Sequence, residues 1–255
     1  MSTETNTETR TMLVVSAHAG DFVWRAGGTI GAHVVKGGRA VVVCLSFGER
    51  GESASQWLQG KSLDEIKSIR QAEAQAAAEA LGAEIRFLDQ GDYPLRESAA
   101  AITALVDVMR EIQPDIVLTH PLLDPYNGDH PAAARMALEA RVQAQAIGVP
   151  FGDGRVPTKS EIIGAPPVFF FEPHQPEMCD FKPEVLLDVT PGWPRKEAAM
   201  QALPAQQHMW DYYQSLGIRR GVQLKRNASA NLGLPVDVKA EAFMRYYPQV
   251  TDVLA

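Results

Sequence analysis

The chain has little cysteine, no basic excess and no long apolar run. Its 255 residues include two cysteines, Cys44 and Cys179. Cys44 lies inside the apolar run Val41-Val42-Val43-Cys44-Leu45, where a thiol serves as a small buried hydrophobe. Cys179 has no evident partner, so a disulfide framework is excluded. The formal net charge is −7 and the pI near 5.4. That balance argues against a nucleic-acid partner, whose phosphates require a basic face. No uninterrupted apolar stretch approaches the ~20 residues that span a bilayer, so no membrane partner is expected. Met1 to Arg10 is polar and rich in Thr and Glu, and lacks the basic-then-apolar order of a signal peptide. A cytoplasmic location is the expectation. Internal repeats and low-complexity linkers are missing too, so we expect a flexible tail over residues 1–10 and a single domain over 11–255.

What is present is a regular alternation. Hydrophobic residues make up 45% of the chain, enough for a sizeable core. Strand-like runs are read at Thr11–Ala17, Ala40–Ser46, Glu84–Leu88, Asp115–Thr119, Pro167–Phe171 and Val185–Val189. Helices are read at Trp24–Gly37, Leu63–Leu81, Ala99–Ile112 and Pro131–Ile147. Ser62 and Glu65 form a capping-box pattern ahead of the second of these, and Gly82 ends it. A long Gly/Pro-rich loop is expected over Gly148–Pro167. A helix interrupted near Pro204 is expected over Lys196–Leu216, and a short last helix over Ala240–Tyr246. Near-continuous apolar strands alternating with helices imply an α/β, Rossmann-like, mostly parallel sheet with helices on both faces. Functional residues then belong at the carboxyl ends of the strands, and His18, Glu49, Asp92 and His120 all follow such ends.

The chemistry-bearing residues concentrate there. Val14-Val15-Ser16-Ala17 delivers His18, with Asp21 three residues on. Ile116-Val117-Leu118-Thr119 delivers His120, and Asp129-His130 follows. Two histidines and at least one aspartate arriving from separate strand ends suit a zinc site with one open position. The plainer alternatives are a strand-end histidine satisfied by backbone, and Asp21 and Asp129 as helix caps.

These residues, taken with Gly48-Glu49-Arg50-Gly51, with Arg70-x-x-Glu73-x-x-x-Ala77-x-x-x-Leu81-Gly82 and with Asp129-His130, resemble the PIG-L/LmbE-like zinc de-N-acetylases over about residues 11 to 140. The resemblance implies that His18, Asp21 and His130 bind zinc, although another divalent metal is compatible with the same donors. Two departures stand out. The family's first motif is usually Ala-His-Pro-Asp-Asp, with its middle Asp as general base, and Gly20 occupies that position here. The family also places a His three residues before the last zinc ligand, and Asn127 stands here. Removing a general base costs about 10²–10⁴ in rate. A retained metal triad without its hydrolytic helpers implies different chemistry.

Leu13–Arg25 and Val43–Ser53 resemble a hydratase branch of the superfamily, which adds water to a conjugated carbon–carbon double bond of a keto-tricarboxylate. That resemblance implies a small-molecule substrate and a homo-oligomer. Glu49, in its Gly-flanked loop, and His174, between Pro173 and Pro176, are the candidates for acid/base work, with Glu52 and Asp129 as alternatives. Arg50, Arg70 and Arg25 are the candidates for gripping substrate carboxylates, since a guanidinium fork binds carboxylate bidentately, and Asn127 joins them. Asp129 and His120 are expected to orient the ligands. The second reading is a de-N-acetylase of an amino sugar or thiol conjugate. A degenerate metal-binding protein without turnover is the third.

Overall fold

The computed structural model describes residues 9–228 and 233–250, so most of the expected N-terminal tail lies outside the described residues. Seven strands form one sheet in the order β3-β2-β1-β4-β5-β7-β6. They are β1 (Thr11–Ser16), β2 (Arg39–Cys44), β3 (Glu84–Phe87), β4 (Ile116–Thr119), β5 (Val168–Phe171), β6 (Val185–Asp188) and β7 (Ala240–Arg245). The first five run parallel. β7 runs antiparallel to both of its neighbours, β5 and β6. The sheet is therefore mixed but mostly parallel.

Side chains alternate across it as the two-residue strand period requires. Leu13, Val15, Val41, Val43 and Val117 face one core with Leu105, Met109 and Met136, from α4 (Ala99–Ile112) and α5 (Asp129–Ala144). Met12, Val14, Val42 and Cys44 face the other with Phe22, Ile30, Ala74, Ala78, Met200 and Tyr213. Those come from α1 (Asp21–Val35), α3 (Leu63–Leu81), α6 (Trp193–Gln201) and α7 (Trp210–Asn227), while the short α2 (Ala54–Leu58) sits in the loop after β2. Both faces of the sheet are covered, which is why β1 and β2 are apolar almost throughout.

The local signals act as their chemistry dictates. Ser62 and Glu65 close a full capping box on α3, and Gly82 ends it in the left-handed conformation at φ 78°. Pro204 interrupts the C-terminal helical region as expected. The break is a 3-10 stretch, Pro204–Met209, with a non-helical residue at Gln206, and α7 continues to Asn227, past the expected end.

One expected helix is a strand. Ala240–Tyr246 reads as helical because Ala, Glu and Met are good helix formers. The segment instead inserts between β5 and β6 and pairs with both. Its Glu241 is buried and accepts from Lys196 Nζ at 2.6 Å and from the Gly28 and Thr29 backbone N–H groups at 2.9 and 2.8 Å. Glu241 is thus a buried tie between β7, α1 and α6.

The strand order reverses at β1, which has β2 on one side and β4 on the other. β2 and β3 were laid down in one direction from it, β4 and β5 in the other. A crevice opens at the carboxyl ends of the strands at such a switch point. His18 follows β1 and His120 follows β4 at that crevice.

Candidate metal centre and active site

His18 leaves β1 in a tight turn whose geometry Asp21 sets. Asp21 Oδ2 accepts the His18 backbone N–H at 2.9 Å and lies 3.1 Å from His18 Nδ1. His130, in the first turn of α5, brings its Nε2 to 3.5 Å from Asp21 Oδ1. One ligand atom from each of His18, Asp21 and His130 falls within 4.8 Å of the others, and all three residues are buried. The structure thus brings the three expected ligands together.

Each imidazole is held from behind. His18 Nε2 meets Asp129 Oδ2 at 3.1 Å, and Asp129 is itself fixed by the Tyr93 and Leu95 backbone N–H groups at 2.9 and 2.8 Å. His130 Nδ1 meets Asp124 Oδ2 at 2.8 Å. With one nitrogen on a carboxylate, each ring turns its other nitrogen toward Asp21. His130 Nε2 is buried there without a hydrogen-bond partner. Carboxylate–imidazole pairs that orient a ring and leave a bare nitrogen facing a shared carboxylate are the arrangement metal-binding histidines use. Two imidazoles and a carboxylate suit a divalent cation, so these residues fit a metal.

The electrostatics agree. Burial disfavours a charged His18, yet Glu52, Asp129 and Asp21 together raise its pKa well above the ordinary value. Burial likewise opposes ionisation of Asp21, but His120 and His130 hold its pKa well below the usual carboxylate range. The group is built to face positive charge. Arg25 Nε supports Asp21 Oδ1 at 3.2 Å, and Arg25 Nη1 donates to the Glu172 carbonyl.

His120 lies against this group. Its ring stacks on His130 at 4.2 Å, its Nε2 accepts the Ala17 backbone N–H at 2.9 Å, and Asp21 Oδ2 is 3.4 Å away. Burial and the neighbouring His130 hold its pKa down at about 3. It is neutral at physiological pH, as an acceptor of a backbone N–H must be. Asn127 Oδ1 accepts the Asp129 N–H at 3.1 Å, so its carboxamide helps start α5.

The loop after β2 supplies carboxylates. Glu49 is fully buried. Its Oε2 accepts the Phe47 N–H at 3.1 Å, while its Oε1 has no hydrogen-bond partner and lies 3.5 Å from Arg50 and 4.0 Å from Lys67. Burial pushes its carboxyl pKa up, with Asp92 adding to the rise. Glu52 reaches the centre directly, with Oε1 at 3.4 Å from His18 Nδ1. Asp92 anchors the loop by accepting the Arg50 and Gly51 N–H groups at 2.9 and 2.7 Å. Its carboxylate forms a second close donor group with His18 and Asp129, but both carboxylates there already serve backbone N–H groups.

The three arginines differ. Arg70 is fully buried and engaged with Glu73 at 2.5 Å and Gln206 at 3.0 Å. Arg25 is buried on Asp21 and Glu172. Arg50 is the exposed one, 46% accessible. His174 is half-buried and stacks on Tyr212 at 4.1 Å. Its Nδ1 is buried without a partner, and burial, then the Arg25 charge, lowers its pKa.

Two residues with no role in the sequence reading belong to this region. Asp124 is separated from His130 by a Pro-containing loop that gives no spacing signal. Gln206 comes from the far end of the chain. Its Oε1 accepts from Trp24 Nε1 at 3.1 Å and from Arg70 Nη2 at 3.0 Å, and it fills the space beside Gly20. A Cβ on Gly20 would collide with that oxygen.

Residues 13–141 match the GlcNAc-PI de-N-acetylase (PIG-L) family. The 4-oxalmesaconate hydratase of Pseudomonas putida is 49% identical over 98% of this chain and 94% of its own length. A solved structure, GalB, the 4-carboxy-2-hydroxymuconate hydratase from the same species, superimposes with a TM-score of 0.89 at 48% identity, over 97% of this chain and 100% of that one. A 1D-myo-inositol 2-acetamido-2-deoxy-alpha-D-glucopyranoside deacetylase of Rhodococcus erythropolis is 32% identical over 47% of this chain and 48% of its own. The N,N'-diacetylchitobiose deacetylase from Pyrococcus horikoshii shares the fold, with a TM-score of 0.72 at 20% identity over 93% of this chain and 84% of that one.

Proposed function

This chain belongs to the PIG-L family, and from that premise we propose that it is a metal-dependent hydro-lyase, a 4-oxalomesaconate hydratase. The reaction adds water to the substrate double bond and gives 4-carboxy-4-hydroxy-2-oxoadipate. We assign it to gallate- and protocatechuate-type aromatic catabolism. The observation that carries the reading is Gly20. The de-N-acetylases that this chain resembles keep a carboxylate base there, and here the space beside Gly20 is filled by Gln206. The near full-length likeness to a hydratase supports the same conclusion.

His18, Asp21 and His130 would hold the metal, and zinc is our assignment. When bound, it supplies Lewis-acid polarisation of a substrate oxygen or acidifies a water. The chain's own residues do the proton work. Hydration places OH on one alkene carbon and H on the other, so one group removes a proton from water and another delivers one to carbon. His174, kept neutral by burial and by Arg25, is suited to take the first proton. Glu49, whose carboxyl burial lifts, is suited to give the second. Divergent shifts of this kind are how one site runs both halves of such a reaction. Arg50, exposed at the rim, is our substrate-carboxylate contact. Arg25 and Arg70 are reassigned to positioning, because their guanidiniums are already engaged.

Among the described residues no helix is long and apolar enough to cross a membrane. We retain a homo-oligomer as a proposal, supported by the exposed apolar side chains of Leu122, Leu123 and Tyr126 near the centre. The deciding experiment gives zinc-loaded protein the keto-tricarboxylate and follows loss of the conjugated alkene in the ultraviolet. A parallel assay measures acetate release from acetylated amino sugars. Alkene loss without acetate release is expected, and the reverse overturns the reading.

A further inference from the structure

Glycine at position 20 is not required by its backbone. Its φ of −103° and ψ of −24° are open to any residue. The space a Cβ would need is instead taken by the end of the Gln206 side chain, its Oε1. Gln206 is buried and sits at the non-helical residue of the 3-10 stretch between α6 and α7, with φ −118° and ψ 27°. The kink turns its side chain across the molecule to Trp24 and Arg70.

Arg70 distributes its nitrogens among four partners. Nη1 donates to Glu73 at 2.5 Å, and Nε to the Phe47 carbonyl at 3.3 Å. Nη2 lies between two oxygens, 3.0 Å from Gln206 Oε1 and 3.5 Å from Glu52 Oε2. The other oxygen of Glu52 faces His18 Nδ1 at 3.4 Å. Nη2 is thus closer to a neutral carboxamide than to a carboxylate that would attract it more strongly. A guanidinium–carboxylate contact is the stronger bond when its geometry is free to form, so Gln206 restrains Arg70.

We propose that Gln206 is a positioning residue for the hydration reaction: by holding Arg70 Nη2 and Trp24 Nε1, its carboxamide oxygen keeps Arg70 from closing on Glu52, and so fixes the Phe47–Ser53 loop that carries Glu49. The inference rests on the hydratase reading for its activity assay alone. Removing the oxygen lets Nη2 move onto Glu52, draws that carboxylate from His18 and shifts the loop. The remote C-terminal third of the chain then has a part in the chemistry that contact with substrate does not reveal.

The test uses five variants in the zinc-loaded protein. Gln206→Leu removes the acceptor, and Gln206→Glu keeps acceptor oxygens. Gly20→Ala expels the oxygen by crowding, and together with Gln206→Ala and the double variant Gly20→Ala/Gln206→Ala it closes a double-mutant cycle. Loss of a hydrogen bond to a charged group predicts a kcat reduction of about ten- to a hundredfold in Gln206→Leu and in Gly20→Ala. KM should stay within about threefold, because an interaction that acts through loop position alters turnover more than binding. Gln206→Glu should recover most of the loss. Gly20→Ala should cost nothing further once Gln206 is already Ala, both in kcat and in melting temperature. Equal losses in Gln206→Glu and Gln206→Leu would overturn the proposal, as would additive effects at positions 20 and 206. Absence of turnover in the unmodified protein would sink the hydratase reading instead, while the coupling in melting temperature would still report on the contact.

Discussion

Asp124 offers the sharpest test of the candidate metal centre, because its one side-chain hydrogen bond to another side chain among the described residues is to His130, its other oxygen accepting the Tyr126 backbone N–H. Its Oδ2 lies 2.8 Å from His130 Nδ1, and its side chain is about nine-tenths buried. Burial opposes ionisation, but the bond to His130 keeps its pKa below the ordinary value, so it is a carboxylate at neutral pH. The bond is therefore charge-assisted. Asp124→Asn keeps an acceptor and loses the charge. Hydrogen bonds to charged groups are worth about 1.5–3 kcal/mol against about 0.5–1.5 for neutral pairs, a difference of roughly 1.4 kcal/mol, or tenfold in affinity. Asp124→Ala also frees the ring to rotate, and should approach the upper end of the ~10–100-fold loss seen when a ligand's outer partner is removed. Zinc affinity is read by competition with a chromophoric chelator, so the measurement does not depend on turnover. Glu97→Gln, at a surface carboxylate paired with Arg135, is the control and should leave affinity unchanged. If Asp124→Ala binds zinc within about twofold of the unmodified protein, His130 is not held by this carboxylate for a metal.

Other outcomes follow from the same geometry. Glu49→Ala and His174→Ala should each lose about 10²–10⁴ in hydratase rate while retaining zinc; two variants with near-normal turnover would remove both from the proton chemistry. Lys196→Met strands Glu241 in the core and should cost about 3–5 kcal/mol in urea unfolding, whereas adding Glu241→Gln should restore much of it, and no effect of the single change would refute the tie. Glu161, bonded to Arg155 and to Thr158, has its pKa lowered to about 2 from an ordinary 4.5. Its ionised form is favoured in the folded state, so its contribution is complete above pH 4.5 and is lost as pH falls through about 2. The Thr158 amide resonance should titrate with that low midpoint, and a midpoint near 4.5 would mean that the loop contacts do not form.

Much of the first half of the chain was readable because local chemistry and tertiary need coincide there. β1 and β2 lie under helices on both faces, so their apolar runs are unbroken, and His18 and Glu49, which follow them, fall at the crevice as the topology demands. Ser62, Glu65 and Gly82 end α3 by contacts within a few residues. The C-terminal third was harder for the opposite reason. Ala240–Arg245 carries helix-forming residues and is a strand only because β5 and β6 offer it two partners and Lys196 neutralises Glu241. Nothing near Gln206 in the chain announces that it reaches Gly20 and Arg70. Arg25 and Arg70 looked free although Asp21 and Glu73 stand at helical i,i+4 and i,i+3 spacing from them; their remaining partners, Glu172 and Gln206, are brought by packing alone. Asp124 was invisible because a pairing across a proline-containing loop has no period.

The distribution of charge explains why metal and substrate belong together in this site. Asp21, Asp92, Asp124 and Asp129 are all buried around His18 and His130, and Glu52 stands beside them with little exposure. The buried cations nearby, Arg25 and Arg70, are committed to fixed partners, and Arg50 stands at the rim. A tricarboxylate approaching this wall meets like charge. At about 4 Å and an effective dielectric near 20, each such pair opposes binding by about 4 kcal/mol. A divalent cation held by His18, Asp21 and His130 would offset part of that negative charge at the mouth and give a substrate carboxylate an opposite charge to meet. The carboxylates that would orient and retain the cation are the same groups that oppose the substrate without it, so removing the metal with a chelator should weaken substrate binding as well as stop turnover, and substrate affinity unchanged by the chelator would refute this reading.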